Sequence, residues 1–142
     1  MGRQLEQVYA SSGLVRFEFK DLAFIGNESI RAAEAASCAN EQGQYWPYHH
    51  TIFANQRGEN LGAFNDEALK AFAAAISLDQ DSFNECLDSN RYRNSVLQAA
   101  NIARDRGVSS TPTVFLNGHL VEGQITFTRL QQLIEGALAG SN

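Results

Sequence analysis

Residues 107–118, Gly-Val-Ser-Ser-Thr-Pro-Thr-Val-Phe-Leu-Asn-Gly, constrain the fold of this chain more than any other segment. Residues 113–116 are β-branched or large and apolar, which favours a strand. Asn117 and Gly118 follow, and this pair favours a hairpin because both central positions of a type I′ turn need a positive φ. The sequence therefore predicts a β-hairpin in which residues 119–122 form the returning strand.

Most of the remaining chain is predicted to be helical, because its apolar residues recur at helical spacing behind Asn, Asp or Thr residues that can cap a helix. The predicted helices cover 3–10, 28–40, 45–56, 67–76, a short segment that ends at Leu87, 91–106 and 127–138. We expect a single α/β domain over residues 1–142, with a helical insert at about 27–106.

A further strand is predicted near the N-terminus. Val15, Phe17 and Phe19 alternate with charged residues, and this period of two is typical of a half-buried strand. The strand is predicted over residues 14–20, between the first helix and the helical insert.

Composition excludes several classes of partner. The chain has a net charge of −5 and a pI near 5.1, which argues against nucleic acid as a ligand. It contains no run of 18 apolar residues, so no membrane span is expected. The first ten residues lack the apolar stretch of a signal peptide, and we therefore expect no signal peptide in this chain.

Three segments in matching order resemble the DsbA-like, thioredoxin-fold thiol–disulfide oxidoreductases. They are the Thr-Pro-Thr segment 107–118, the Gln-Gly-Gln-Tyr-Trp joint at the end of 31–46, and Phe-Asn-Glu-Cys-Leu-Asp-Ser at 83–89. The resemblance implies a thioredoxin-like fold of DsbA type with a helical insertion. Family members open with a strand and then a helix that begins with Cys-x-x-Cys. Residues 3–10 resemble only the end of that helix, so the first strand, most of the first helix and the cysteine pair are expected to be missing.

The resemblance also implies a substrate-binding bend at Ser110, Thr111 and Pro112. By composition alone Pro112 would be an ordinary trans proline at the start of a strand. In the family this proline is cis, and the backbone of the preceding residue pairs with an extended, thiol-bearing polypeptide. The same role is expected here for Thr111, although no catalytic residue is predicted in this chain.

Cys38 and Cys86 are the only cysteines, and they are 48 positions apart. The residues alone leave open a catalytic pair, two free core thiols or a structural disulfide, although the spacing fits no redox motif. The resemblance favours a structural disulfide, because related proteins often have a second disulfide at matching positions. A disulfide would place the protein outside the reducing cytosol, in the periplasm or at the cell exterior.

The other candidate side chains have ordinary interpretations. His49 and His50 are adjacent, so on a helix they point about 100° apart and do not chelate a metal together. We predict no metal site and no cofactor. Aromatic residues at helical spacing are expected to form core contacts rather than a peptide groove. They are Trp46, Phe53, Phe64, Phe72, Phe83 and Tyr92.

These observations predict a fragment of a DsbA-like oxidoreductase that is redox-inactive as this chain, and they leave open whether the chain is itself an enzyme. One alternative is a redox-inert module that binds peptide at the bend. Another is an enzyme similar to glutathione transferase kappa or chromene-carboxylate isomerase, although those proteins usually have valine where this chain has Thr111. Without its first strand the sheet would have unpaired edges, so we expect them to pair with each other or with a second copy.

Overall fold

The computed structural model describes residues 2–140, and it consists largely of helices with one small sheet. The elements are α1 (Gly2–Leu5), α2 (Asn27–Glu41), α3 (Tyr45–Ala54), α4 (Asp66–Ala75), α5 (Gln80–Asp88), α6 (Arg93–Asp105), β1 (Phe115–Leu116), β2 (His119–Leu120) and α7 (Phe127–Ala139). Glu6–Ala10 continues α1 as a π-helical turn. Met1, Ser141 and Asn142, which the predicted domain includes, lie outside the described residues.

The chain divides into two compact units. The hairpin unit comprises the described residues up to Lys20 and those from Val108 onward, and the helical unit is Asp21–Gly107. The helical unit includes the whole of the predicted insert, 27–106. The prediction of one domain over the entire chain stays a prediction.

The helical unit has a fully buried core. Tyr48, Leu69, Phe83 and Leu87 are completely shielded from solvent. The Tyr48 hydroxyl donates a hydrogen bond of 2.9 Å to the carbonyl oxygen of Leu69, so this polar group is satisfied inside the core. The alanines of α2 complete the cluster, because their small side chains let neighbouring helices approach closely.

Side-chain caps fix where two helices of this unit begin. Asn65 accepts a hydrogen bond of 2.8 Å from the amide of Ala68 at the start of α4. Asp79 accepts one of 2.8 Å from the amide of Ser82 at the start of α5. Each cap satisfies an amide that the helix itself cannot pair. Asp79, rather than the nearby Asp81, therefore caps α5.

Arg31 on α2 is almost buried and holds three segments of the helical unit together. Its guanidinium binds Asp66 through two hydrogen bonds of 2.8 Å, and it donates one of 2.8 Å to the Asn90 side chain. It also pairs with Glu34 at 3.2 Å, which is 1% exposed. Buried charges are tolerated when they are paired in this way. The bidentate bond to Asp66 raises the pKa of Arg31 and lowers that of Asp66.

The hairpin unit is built on a small apolar cluster and the predicted turn. Leu5, Tyr9, Leu130 and Ile134 are buried in the cluster. In the hairpin, Phe115 pairs with Leu120 and Leu116 with His119 in antiparallel register. Asn117 and Gly118 have φ values of 49° and 83°, which is the left-handed backbone that a type I′ turn requires.

The predicted strand over residues 14–20 is wrong, because the structure places no strand there. Val15 and Phe17 nevertheless pack against the buried cluster of the hairpin unit, as their alternation indicated. The alternation reports which side chains are buried, whereas a strand also needs a neighbouring strand to bond with. Within residues 2–140 only β1 and β2 pair, and both are shorter than predicted.

The aromatic side chains divide between core and surface. Phe83 is buried, and Phe64, Phe72 and Tyr92 pack against the core of the helical unit. Phe53 was expected in the core, but it lies near the end of α3 and is 61% exposed. Within the described part of the chain no helix is both long enough and apolar enough to cross a membrane.

Candidate functional site

The bend before the hairpin is the candidate functional site. The peptide bond between Thr111 and Pro112 is cis. Ser110, Thr111 and Pro112 are all exposed to solvent. The Thr113 hydroxyl donates a hydrogen bond of 2.6 Å to the carbonyl oxygen of Ser110, and this bond closes the bend from the hairpin side.

The backbone of the bend and of the strand that follows it has unpaired groups within the described part of the chain. Among residues 2–140 the structure has no hydrogen bond to the amide or carbonyl of Thr111. The unpaired backbone continues along the outer edge of β1. Val121 donates a hydrogen bond of 2.9 Å to the carbonyl of Val114, so the amide and carbonyl of the next residue, Phe115, point away from β2. Unpaired backbone groups in extended chain are the ones that bind a peptide by adding a strand.

Cys38 and Cys86 form a disulfide that joins α2 to α5. The S–S distance is 2.02 Å and the two Cα atoms are 5.9 Å apart. The cysteines are only 2% and 1% exposed. Thiol–disulfide exchange requires an attacking thiolate to reach a sulfur atom, and burial prevents that approach. This geometry suits a crosslink within the helical unit, whereas the bend belongs to the hairpin unit.

The imidazole of His49 contacts aromatic rings of α3. His49 stacks on Tyr45 with ring centroids 5.8 Å apart and contacts Phe53 at 4.6 Å. Trp46 lies edge-on to the same imidazole at 5.3 Å. Among the described residues there is no group of three or more His, Cys, Asp and Glu side chains that could hold a metal ion.

Sequence reasoning missed a partly buried titratable group, Asp21. The Tyr45 hydroxyl donates to its carboxylate at 3.4 Å. Burial raises the pKa of Asp21 to about 6, and the hydrogen bond from Tyr45 only partly offsets this effect. Asp21 lies in a segment without helical or strand periodicity, so no pattern in the sequence indicated that its carboxyl would be buried.

A cis-proline bend that leads into a β-hairpin and a final helix is characteristic of thioredoxin-like proteins. A family model described as thioredoxin matches residues 1–136. The chain therefore belongs to this thioredoxin family. The predicted thioredoxin-like fold of DsbA type, with its helical insertion, is confirmed by this match together with a solved structure. That structure is the thiol-disulfide exchange protein alpha-DsbA2 from Wolbachia pipientis, with a TM-score of 0.78 and 23% identity over 96% of this chain and 72% of its own.

Curated relatives are longer than this chain. The probable disulfide bond formation protein D of Bacillus anthracis is 24% identical over 139 residues, which are 95% of this chain and 63% of that protein. The Na⁺/H⁺ antiporter NhaA 1 of Salinispora arenicola is 33% identical over 110 residues, which are 78% of this chain and 16% of the antiporter. The chain thus spans less than two thirds of either relative.

Proposed function

We propose that this chain is the peptide-binding part of a protein thiol–disulfide oxidoreductase of DsbA type. The observation that carries the proposal is the exposed bend at Ser110, Thr111 and Pro112, whose Thr111 backbone has no partner among residues 2–140. An extended polypeptide substrate would pair with that backbone and present its thiol or disulfide beside it. The relative named for disulfide bond formation supports this assignment.

We further propose that the reacting cysteine pair comes from sequence outside these 142 residues. Both cysteines of this chain are in the buried Cys38–Cys86 disulfide, whose role we take to be structural. A reactive cysteine is usually accessible and close to a positive charge or a helix N-terminus. Cys38 instead lies in the interior of α2. On its own, the chain is therefore a redox-inert module that binds peptide at the bend.

The disulfide also supports a proposal for the compartment. Disulfides persist in oxidising environments and are rare in the reducing cytosol. We accordingly place the protein outside the cytoplasm. Self-association through unpaired strand edges stays a prediction, and sedimentation velocity over a range of protein concentrations would test it.

Two measurements test the proposed function. The 142-residue chain is added to an insulin reduction assay with dithiothreitol, and no acceleration over the uncatalysed rate is expected. A cysteine-containing peptide, alkylated so that it cannot exchange, is then titrated into ¹⁵N-labelled protein. Amide shifts are expected around Thr111 and Thr113, because the bound peptide pairs with the free backbone there.

The controls separate binding from redox activity. A peptide that is N-methylated at the pairing residues loses backbone donors and should give no shifts at the bend. Any acceleration of insulin reduction by the 142-residue chain would contradict the inert assignment, and its loss in the Cys38→Ala/Cys86→Ala variant would assign the activity to this disulfide. Absence of peptide-dependent shifts at the bend would contradict the binding role.

A further inference from the structure

A concave surface, here called the edge groove, is formed by residues of the hairpin and α7. It encloses about 470 Å³ between β2 and α7. Its lining is mainly apolar and includes Leu120, Val121 and Leu133. Leu120 and Leu133 are 53% and 36% exposed, so the groove presents aliphatic surface that the described residues leave uncovered. None of the three residues of the bend lines it.

The backbone along the edge groove is free to pair. The two-residue turn makes Leu116 and His119 the pair that exchanges hydrogen bonds, and the next such pair is Val114 and Val121. Leu120 lies between them, so its amide and carbonyl point outward from β2. Among the residues that the structure describes, neither group has a hydrogen-bond partner. An extended segment can therefore add to this edge.

The row of side chains on α7 matches the repeat of an extended peptide. Arg129, Leu133 and Ala137 line the groove one helical turn apart. Positions i and i+4 on a helix repeat at roughly 6 Å. Alternate residues of a strand, which point to the same side, repeat at roughly 6.6 Å. A peptide paired with β2 would thus place successive groove-facing side chains opposite successive members of this row.

The charged residues that line the edge groove determine which peptide charges it can bind. Arg129 is exposed and has no ion pair within residues 2–140, so its guanidinium can bind a carboxylate on the ligand. Leu133, one turn further along, offers an apolar contact for the next side chain. Glu122 also lines the groove and repels a segment that is acidic throughout.

We propose that the edge groove binds an extended segment of a partner polypeptide that carries an acidic residue two positions before an aliphatic one. The acidic side chain pairs with Arg129, the aliphatic side chain packs on Leu133, and the peptide backbone pairs with Leu120. Binding at the edge groove requires neither a thiol in the ligand nor the bend, so it is independent of the proposed function.

The test uses a cysteine-free probe, the acetylated and amidated peptide Thr-Asp-Thr-Leu-Thr-Ser with a fluorescein label. Anisotropy is expected to give saturable binding to the 142-residue chain with a Kd on the order of 100 µM. ¹⁵N amide shifts are expected at Leu120, Val121 and Leu133. Replacing Asp by Asn in the probe should weaken binding roughly threefold to fivefold, as for a partly exposed ion pair.

Exchanging the charges makes the assignment specific. Arg129→Glu should weaken binding of the Asp probe at least fivefold and should create binding of a probe with Lys in place of Asp. Leu133→Ser should weaken binding of the Asp probe to the wild-type chain and of the Lys probe to the Arg129→Glu variant. Ala139→Glu is the matched control, because it adds a negative charge to an exposed position of the same helix that does not line the groove and is too far along the helix to pair with Arg129. It should leave binding of the Asp probe within about twofold.

Three results would overturn the inference. One is absence of saturable binding up to about 1 mM probe, which corresponds to a binding free energy near −4 kcal/mol. Another is a set of amide shifts confined to Ser110, Thr111 and Thr113, which would leave the proposed function intact and the groove empty. The third is concentration-dependent dimerisation through β2 that excludes the probe, because the occupant would then be a second copy of this chain.

Discussion

At the scale of single residues, burial and hydrogen bonding shift the pKa values of carboxyl groups in opposite directions. The pKa of Glu41 is lowered because Tyr92 and Arg91 both donate hydrogen bonds to it. Asp21 is instead partly buried beside a neutral hydroxyl, and its pKa rises to about 6. Ionised Asp21 is therefore less favourable in the folded protein than in the unfolded chain.

This difference predicts that ionisation of Asp21 destabilises the folded protein as pH rises. Because the folded pKa is the higher one, folding is favoured by protonation, and that contribution is lost as pH rises from about 4 to about 6. Asp21→Asn removes the titration. We expect the variant to match the wild-type protein at pH 4 and to be more stable by about 2 kcal/mol at pH 7.

Urea unfolding at several pH values between 4 and 7 measures this effect. Other carboxyl groups titrate in both proteins, so the difference between variant and wild type isolates Asp21. Asp79→Asn is a suitable comparison, because the Asp79 carboxylate caps α5 and its pKa is lowered in the folded protein. The contribution of ionised Asp79 to stability should therefore be lost as pH falls, which is the opposite dependence to that of Asp21. A difference between the Asp21 variant and wild type that does not change with pH would contradict the prediction.

At the scale of elements, the disulfide and the ionic contacts fasten α2 to α5 and the segment after it. Cys38 and Cys86 form the covalent link. Arg31 reaches Asn90, and Glu41 accepts hydrogen bonds from Arg91. On α2 the noncovalent contacts lie on both sides of Cys38, and their partners both follow Cys86, so the junction should persist when the disulfide is absent.

Removing the disulfide should therefore lower stability without abolishing the fold. A crosslink across 48 residues stabilises by about 4 kcal/mol, because it limits the freedom of the unfolded chain. We expect Cys38→Ala/Cys86→Ala to remain folded and to lose roughly that amount in urea unfolding. Near-ultraviolet circular dichroism of Tyr48 and its neighbours would verify that the core persists.

The matched control is the wild-type protein unfolded in excess reductant, which should show nearly the same loss. An unfolded double-alanine variant would mean that the contacts of Arg31 and Glu41 do not hold the junction. A variant as stable as the oxidised protein would mean that the crosslink contributes nothing.

The sequence was sufficient for elements defined by local rules and insufficient for those defined by pairing. The cap at Asn65 and the turn at Asn117 follow from short-range hydrogen bonds and φ preferences, so both could be predicted. Residues 14–20 alternate like a strand, but whether a strand forms depends on a partner elsewhere in the chain. The edge groove was missed for the same reason, because it needs the positions of β2 and α7 together.

At the scale of the whole molecule, the net negative charge is confined to the helical unit, Asp21–Gly107. Acidic and basic residues balance in the rest of the chain, so the net charge of −5 belongs entirely to this unit. The extensive buried core, the disulfide and the Arg31 contacts are also within its bounds. By contrast, among residues 2–140 the buried cluster of the hairpin unit consists of Leu5, Tyr9, Leu130 and Ile134.

This distribution predicts that residues 21–107 fold alone once the disulfide has formed. A chain of this length can bury roughly 60–70% of its unfolded surface, and here the core around Phe83 is closed by α2 to α5. We expect the isolated, oxidised segment to unfold in one cooperative step in urea. Two-stranded hairpins are marginal on their own, so the hairpin unit is not expected to do the same.

Circular dichroism and ¹⁵N amide spectra of the isolated segment test this directly. Dispersed amide signals and a sigmoidal urea transition are the expected results. Phe83→Ala in the same segment should lower its stability by about 3–5 kcal/mol, because it removes a large, fully buried side chain. A gradual transition, or an unchanged one after this substitution, would show that the fold of the helical unit depends on residues beyond 21–107 or on contacts other than this core.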